Sequence, residues 1–497
     1  MLQNLSAELQ LLIIAELHPV EIAHLQQTCR HFRDLVEAFS RTIWKHCLRR
    51  QSFESDVFWP TYKDLKEGSE FKRAATSATQ FSKAHADAAR RSEPIAAYRR
   101  FMRLPMDGDK FRDIYLVQGG RFVMVFGEKR VTMWEVVPPT EEGSEKLELN
   151  KILSKEVDHL QQVLATTIVD NQKIRALIVL EPKGSPLSIY QVLEVSFSET
   201  EGQFIATTSS RLVTSLDFIA VECLQFVDNA VLFFDEDEKI TVFWDTARDK
   251  YASWKHEGNL PVLGIFVDNS YTHIFYVVPE GVVADEIPPL RPVVDGRPAV
   301  AAASSAVSTK SHKWLHKDAY YFDATNSTPN FVGPEVMAKT TRVPDPSSLY
   351  FQVREIVPSK EFVRLRAFKF AFDPKDPLQT VPQLVDTTRF EYPEEIDLQP
   401  VFRRPCEGSL ATLWLDLADV VTQHFITIAP PIETPPGSDL PPQKTLPLVQ
   451  FNPSLEFQSG PAWEWEPFYE FDPVSGKLLI LHGFLSGEPS VELYDFL

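Results

Sequence analysis

Residues 5–35 read LSAELQLLIIAELHPVEIAHLQQTCRHFRDL, and this stretch decides how the rest of the chain is read. Leu5, Leu9, Leu12, Ile13 and Leu17 fall at helical spacing, with Ser6 placed as an N-cap and Glu8 in the first turn, where a carboxylate favours the helix dipole. His18 and Pro19 break that helix. Proline opens a helix well, so a second one starts at Pro19, with Ile22, Ala23, Leu25 and Cys29 as its apolar positions. A third pattern runs through Phe32, Leu35, Val36 and Phe39, closed by Ile43, Trp44 and Leu48. Three helices in about fifty residues make a small orthogonal bundle. A unit of that size hides only about 60% of its surface on folding, which leaves apolar side chains for a partner.

The order Leu5-Ser-Ala-Glu8-Leu9, Ile13, Leu17, His18-Pro19, Ile22, Leu25, Cys29-Arg30-His31-Phe32 and Trp44 resembles an F-box. It departs from that family's pattern at Ser6, where proline is usual. The resemblance implies binding to the Skp-type adaptor of an SCF-type cullin-RING ubiquitin ligase and, through the adaptor, to cullin. The residues it implies for adaptor binding are Leu5, Leu9, Ile13, Leu17, Pro19, Ile22 and Leu25. The other reading of the same residues is a helical cap on a larger domain.

Working outward, residues 51–104 include Lys-, Arg- and Ala-rich material from Asp64 to Arg91, which reads as a helical linker, with a disordered one as the alternative. From Phe111 to Leu497 the pattern changes to short runs rich in Val, Ile, Phe and Tyr, punctuated by Gly, Pro, Asp and Asn, as in antiparallel strands. Seven strand ends carry a large residue before a polar one: Trp134-Glu135, Tyr190-Gln191, Trp244-Asp245, Phe322-Asp323, Phe372-Asp373, Leu415-Asp416 and Tyr494-Asp495. Their spacing is irregular. Gln118-Gly-Gly-Arg-Phe122 followed by Val131-Thr-Met-Trp134, and likewise Ile240 to Asp245, resemble the strand-turn-strand of a degenerate WD-like blade. In such blades Trp244 and Asp245 are structural. The expected architecture is α+β and multidomain: an F-box at 1–50, a helical linker at 51–104 and an all-β propeller of six to eight blades at 105–497. A pair of β-sandwiches is the rival. Residues 279–313 and 429–447, rich in small residues and proline respectively, read as exposed loops.

Composition narrows the function classes. The chain has 497 residues, a hydrophobic content of 44% and a net charge of −19. Residues 1–110 hold 17 Lys+Arg against 14 Asp+Glu, a net of +3, so residues 111–497 carry −22. An acidic surface repels phosphates, which argues against nucleic acid as a partner. The apolar run Leu11 to Ala15 is too short for a membrane span, and the four cysteines lack a Cys-x-x-Cys pair. Cytosol or nucleus is the expected compartment.

Catalytic motifs are missing from the sequence: no Gly-x-Ser-x-Gly, no phosphate-cradling glycine loop and no His-Glu-x-x-His. His312 and His316 have ligand spacing only if helical, and Asp235 to Glu238 reads better as a solvated turn than as a calcium site. Trp463, Trp465 and Tyr469 form an aromatic cluster, read as core rather than as a partner anchor. No cofactor or metal is expected. The function expected is that of a non-catalytic substrate receptor holding a protein target on the propeller. The alternatives are a non-ligase interaction scaffold and a propeller hydrolase.

Overall fold

A computed structural model describes residues 5–138, 146–181, 188–214, 221–227, 229–235, 239–256, 262, 264–268, 270–278, 281–294, 297–298, 311–315, 331–332, 348–357, 362–370, 383–391, 398–406, 409–416, 423–429, 444–451, 468–482 and 489–497. The chain begins with five helices, α1 Ala7–Ala15, α2 Pro19–Thr28, α3 Arg30–Ala38, α4 Ser40–Glu54 and α5 Gly68–Arg91, with a 3-10 turn at Trp59–Tyr62. Local chemistry sets the boundaries. Ser6 caps α1 by accepting from the Leu9 N–H, and His18 with Glu21 forms a capping box ahead of Pro19 in α2.

Among the described residues the strands form seven separate sheets. Blade 1 comprises Phe111–Leu116, Phe122–Gly127, Arg130–Val136 and Leu149–Glu156; blade 2, Leu160–Val169, Lys173–Leu180, Ser188–Ser198 and Gln203–Thr214. Blade 3 holds Val221–Val227, Ala230–Asp235, Ile240–Asp245 and Lys250–Lys255; blade 4, Gly264–Val267, His273–Val278, Gly281–Glu286 and Ser311–Leu315. Blade 5 holds Phe331–Val332, Leu349–Val357, Phe362–Phe370 and Gln383–Glu391; blade 6, Leu398–Cys406, Ser409–Asp416, Gln423–Ala429 and Val449–Phe451. Blade 7 takes three strands from the end of the chain, Phe468–Asp472, Lys477–His482 and Ser490–Asp495, and its fourth, Tyr98–Arg103, from before blade 1. That pairing, from Tyr98↔Asp495 to Arg103↔Ser490, closes the ring. Closure leaves no open seam in the circle of blades. The fold is a seven-bladed β-propeller, within the range expected.

The boundaries differ from the sequence reading. The first propeller strand starts at Tyr98, inside the segment read as linker, because it completes the last sheet. α4 runs through residue 50 and buries Cys47, Leu48, Gln51 and Ser52, so the helical unit does not end there.

Of the seven strand-end marks, Trp134, Tyr190, Trp244 and Tyr494 lie on third strands of blades, Leu415 lies on a second strand, and Phe322 and Phe372 fall outside the described residues. Trp244 is fully buried, and Asp245 accepts from the N–H groups of Ala247 and Arg248, which ties the turn as expected.

The two presumed loops are also corrected in part. Residues 281–286 and 311–315 are blade strands, and Arg291–Val294 with Arg297–Pro298 forms a hairpin paired to the outer strand of blade 3. Lys444–Thr445 pairs in parallel with the outer strand of blade 5. In both cases the connection from the third to the fourth strand of a blade reaches back to the preceding blade. Blade 1 does the same to blade 7: the Leu147 N–H donates to the Phe101 carbonyl at 2.9 Å. An outer strand otherwise presents unpaired backbone groups, and these returns cover three such edges. Residues 430–443, where most of the prolines lie, are outside the described residues.

Candidate functional site

α1 is apolar nearly all round, and packing on α4 chooses which side chains it hides. Ile14 is fully buried, with Ile22, Phe32, Val36, Ile43, Trp44, Cys47 and Leu48, while Leu9 is 49% exposed and Leu12 66% exposed. Leu5 and Ile13 are exposed as well. Of the residues named for adaptor binding, Leu5, Leu9 and Ile13 therefore share an outer surface. Ile22 and Pro19 are buried, and Leu17 and Leu25 are half-buried against the helical core. Leu12, absent from that set, is the most exposed large apolar side chain of α1. Its signal was in the sequence: a helix with apolar residues on every side covers only one of them.

This surface is held on the propeller by a junction built from both. α5 is the shared element. Its early residues Phe71 and Ala75 sit in the core of the N-terminal helices, whereas Ala78, Phe81 and Ala88 pack with Leu413, Phe471 and Phe496 of blades 6 and 7. Gly68 permits the approach of α5 to α4, since a Cβ there would lie 2.4 Å from the Ser40 Oγ. Phe58 is fully buried among Phe122 and Phe204 of blades 1 and 2.

Polar contacts complete the junction. The Asn171 side chain, on a left-handed turn with φ of 57°, donates to the carbonyls of Ser52 and Val57, and its own carbonyl accepts from the Trp59 N–H at 2.7 Å. Arg121 donates to the Thr61 carbonyl at 2.9 Å and pairs with Asp64 and Glu135. The His85 Nε2 lies 2.9 Å from the Ile426 carbonyl, and burial holds its imidazole below the usual range, so the neutral ring donates that bond.

The turns used here, Val117–Arg121, Asp170–Gln172 and Pro473–Gly476, all join the first and second strands of their blades. The helices thus cap one end of the ring. The other end carries the turns between second and third strands.

Inner strands of blades 1, 6 and 7 bring together a charged cluster that the sequence reading missed. Arg404 pairs with Glu470 at 3.1 Å and lies over the Tyr115 ring at 5.3 Å. Burial pushes the Glu470 carboxyl up to about 8, with Arg404 opposing and Asp113 reinforcing the shift; burial also raises Asp113 to about 7. Asp113 and Glu470 are 357 positions apart (470 − 113), so no local pattern signals them. Two small clefts among the described residues lie elsewhere: one is lined by Leu104, Asp107, Arg130 and Trp134, the other by Leu48, Ser55, Tyr62 and Val474. Among the described residues no group of three or more His, Cys, Asp or Glu is arranged to hold a metal ion. No helix among them is long and apolar enough to cross a membrane.

Remaining candidates resolve as follows. His312 lies on a strand, so helical ligand spacing does not apply, and His316 is outside the described residues. Asp235 ends a strand, with 236–238 outside the described residues. Tyr469 is buried and bonds the His424 ring at 3.0 Å, which is a core role; Trp463 and Trp465 lie outside the described residues.

Comparison with known proteins identifies the helical unit: residues 2–49 match the F-box domain. No curated protein matches the sequence. Similar solved structures include a functionally unknown protein from Desulfotomaculum acetoxidans, at 12% identity over 69% of this chain and 90% of that one, with a TM-score of 0.31. The WD40 domain of SCAP from fission yeast is 11% identical over 78% of this chain and 82% of its own, with a TM-score of 0.35. The propeller assignment rests on the seven-sheet topology. The chain carries an F-box domain joined to a seven-bladed propeller, an architecture typical of non-catalytic adaptor and receptor proteins.

Proposed function

We propose that this chain is the substrate receptor of an SCF-type cullin-RING ubiquitin ligase. The observation that carries the reading is the exposed apolar surface of Leu5, just before the first helix of an F-box domain, and Leu9, Leu12 and Ile13 on it. A Skp-type adaptor would cover it, and the propeller would hold a protein target at the far end of a stiff junction. Chemistry is left to the other subunits. The receptor acts by proximity, because fixing a target lysine near the ubiquitin-loaded enzyme raises its effective concentration. Geometry then matters more than affinity, which gives the shared helix α5 its purpose. The reading places the chain in the cytosol or nucleus.

The test is capture of purified adaptor and cullin by the intact chain and by Leu9→Asp/Ile13→Asp. Both proteins retained by the intact chain and lost with the double variant support the receptor. Adaptor without cullin would support a scaffold outside any ligase. The half-buried acids Glu470 and Asp113, both with raised pKa, are the observation that favours a propeller hydrolase. That reading requires turnover of an ester or glycoside substrate that Glu470→Gln abolishes.

A further inference from the structure

α4 carries Arg41, Lys45 and Arg49 at four-residue spacing, all exposed and about one turn apart, with Phe53 next in the same register and 51% exposed. Lys72 of α5 stands 5.4 Å over the Trp44 ring and adds a fourth cation beside them. Among the described residues none of the four makes an ion pair; Arg49 lies 6.0 Å over the Trp59 ring. Arg50 on the same helix is by contrast paired with Glu16 and Glu54.

The stripe runs against the electrostatics of its own helix. The N-terminal end of a helix carries partial positive charge, yet α4 has no acidic residue in its first turn, has Arg41 there, and places its one carboxylate, Glu54, at the opposite end. α5 is arranged the other way, with Glu70 in its first turn and Arg90 and Arg91 in its last. Glu70 is already committed to the N–H groups of Lys66 and Glu67, at 2.7 and 2.8 Å. Like charges four residues apart also repel. Helix stability therefore does not account for the pattern, and the remainder of the chain, residues 111–497, carries −22.

We propose that this stripe docks an acidic helix of a protein partner, its carboxylates at four-residue spacing meeting Arg41, Lys45 and Arg49 and one apolar side chain meeting Phe53. A helix fits because its own repeat reproduces the spacing of the cations. The exposed Phe53 in line with the cations suits a protein helix, which can present an apolar side chain there, better than a phosphate backbone, which cannot. The stripe lies on α4, its three cations within the residues that match the F-box domain, whereas the exposed leucines lie on α1 and just before it, and the proposal stands whether or not the ligase reading holds.

The experiment titrates the intact chain into a fluorescein-labelled, alanine-based helical peptide with three Glu at four-residue spacing and a terminal Leu, read by anisotropy at 50 and 150 mM NaCl. A peptide with Gln for Glu is the control. Expected are binding of the Glu peptide only, weakening of at least tenfold in Lys45→Glu/Arg49→Glu, about threefold in Phe53→Ala, and weakening by salt. Lys45→Gln/Arg49→Gln, with unchanged circular dichroism, should lie between. Equal binding of the Gln peptide, or binding unaffected by charge reversal, overturns the proposal. So does preference for single-stranded DNA or phosphatidylserine vesicles over the peptide. Adaptor capture by the same variants reads the ligase proposal separately.

Discussion

α1 and α5 use apolar residues in opposite ways. α1 has nine residues, is apolar on every side, and buries only Gln10 and Ile14 fully. α5 has 24 residues, is largely small or polar, and buries Phe71, Ala75, Ala78, Phe81, His85 and Ala88 along its length, the first two in one core and most of the rest in another. The first helix leaves its hydrophobic surface open; the fifth spends it joining two bodies. Surface left open on a small unit calls for a partner, and a helix that belongs to two cores sets the angle between them.

Breaking the α1 half of that contrast gives the largest expected effect. Leu9→Asp/Ile13→Asp should weaken adaptor binding by a hundredfold or more while the thermal transition is unchanged, because both side chains are exposed in the chain alone. Binding measured by calorimetry alongside melting separates lost contact from lost fold. On the α5 side, Phe81→Ala should cost about 3–5 kcal/mol, since the ring is fully buried against Phe471 and Phe496. Denaturant unfolding should then show the helical unit separating from the propeller.

A smaller loss, about 1–3 kcal/mol, is expected for Asn171→Ala, which removes the side-chain donor shared by the Ser52 and Val57 carbonyls and leaves Ser52 only the Val57 N–H. Its diagnostic sign is a broader distance distribution between labels on α2 and blade 4.

The last effect concerns pH. Glu470 has a folded-state pKa raised above its unfolded value, so its protonated form favours the fold: that stability is full below the ordinary carboxylate range and is lost as pH rises through about 8. Glu470→Gln should therefore flatten the decline in melting temperature between pH 5 and 8. A steeper decline would contradict the assignment.

What the sequence made legible follows from how local each feature is. Caps, breaks and spacing placed α1 and α2, and period-two runs placed strands in the blades, because both depend on neighbours within a few residues. The burial of Ile14 rather than Leu9 is not readable from the sequence, since a helix with apolar residues nearly all round has no preferred face until α4 is set against it. Tyr98–Arg103 was read as linker because its partner strand is nearly 400 residues away. The Arg404, Glu470 and Asp113 cluster, and the returns by which blades 1, 4 and 6 cover the edges of their predecessors, depend on ring closure in the same way. Of the residues named for adaptor binding, Leu5, Leu9 and Ile13 are exposed, which helical spacing alone does not decide, and Pro19 and Ile22 are buried.

Deleting residues 1–50 would cut α4 through its buried residues, so point variants are the cleaner instrument. The most direct measurement is quantitative capture of adaptor and cullin from a reconstituted mixture by the intact chain and by folded Leu9→Asp/Ile13→Asp. The account predicts that both proteins come down with the intact chain and neither with the variant; capture of both by the folded variant would contradict it.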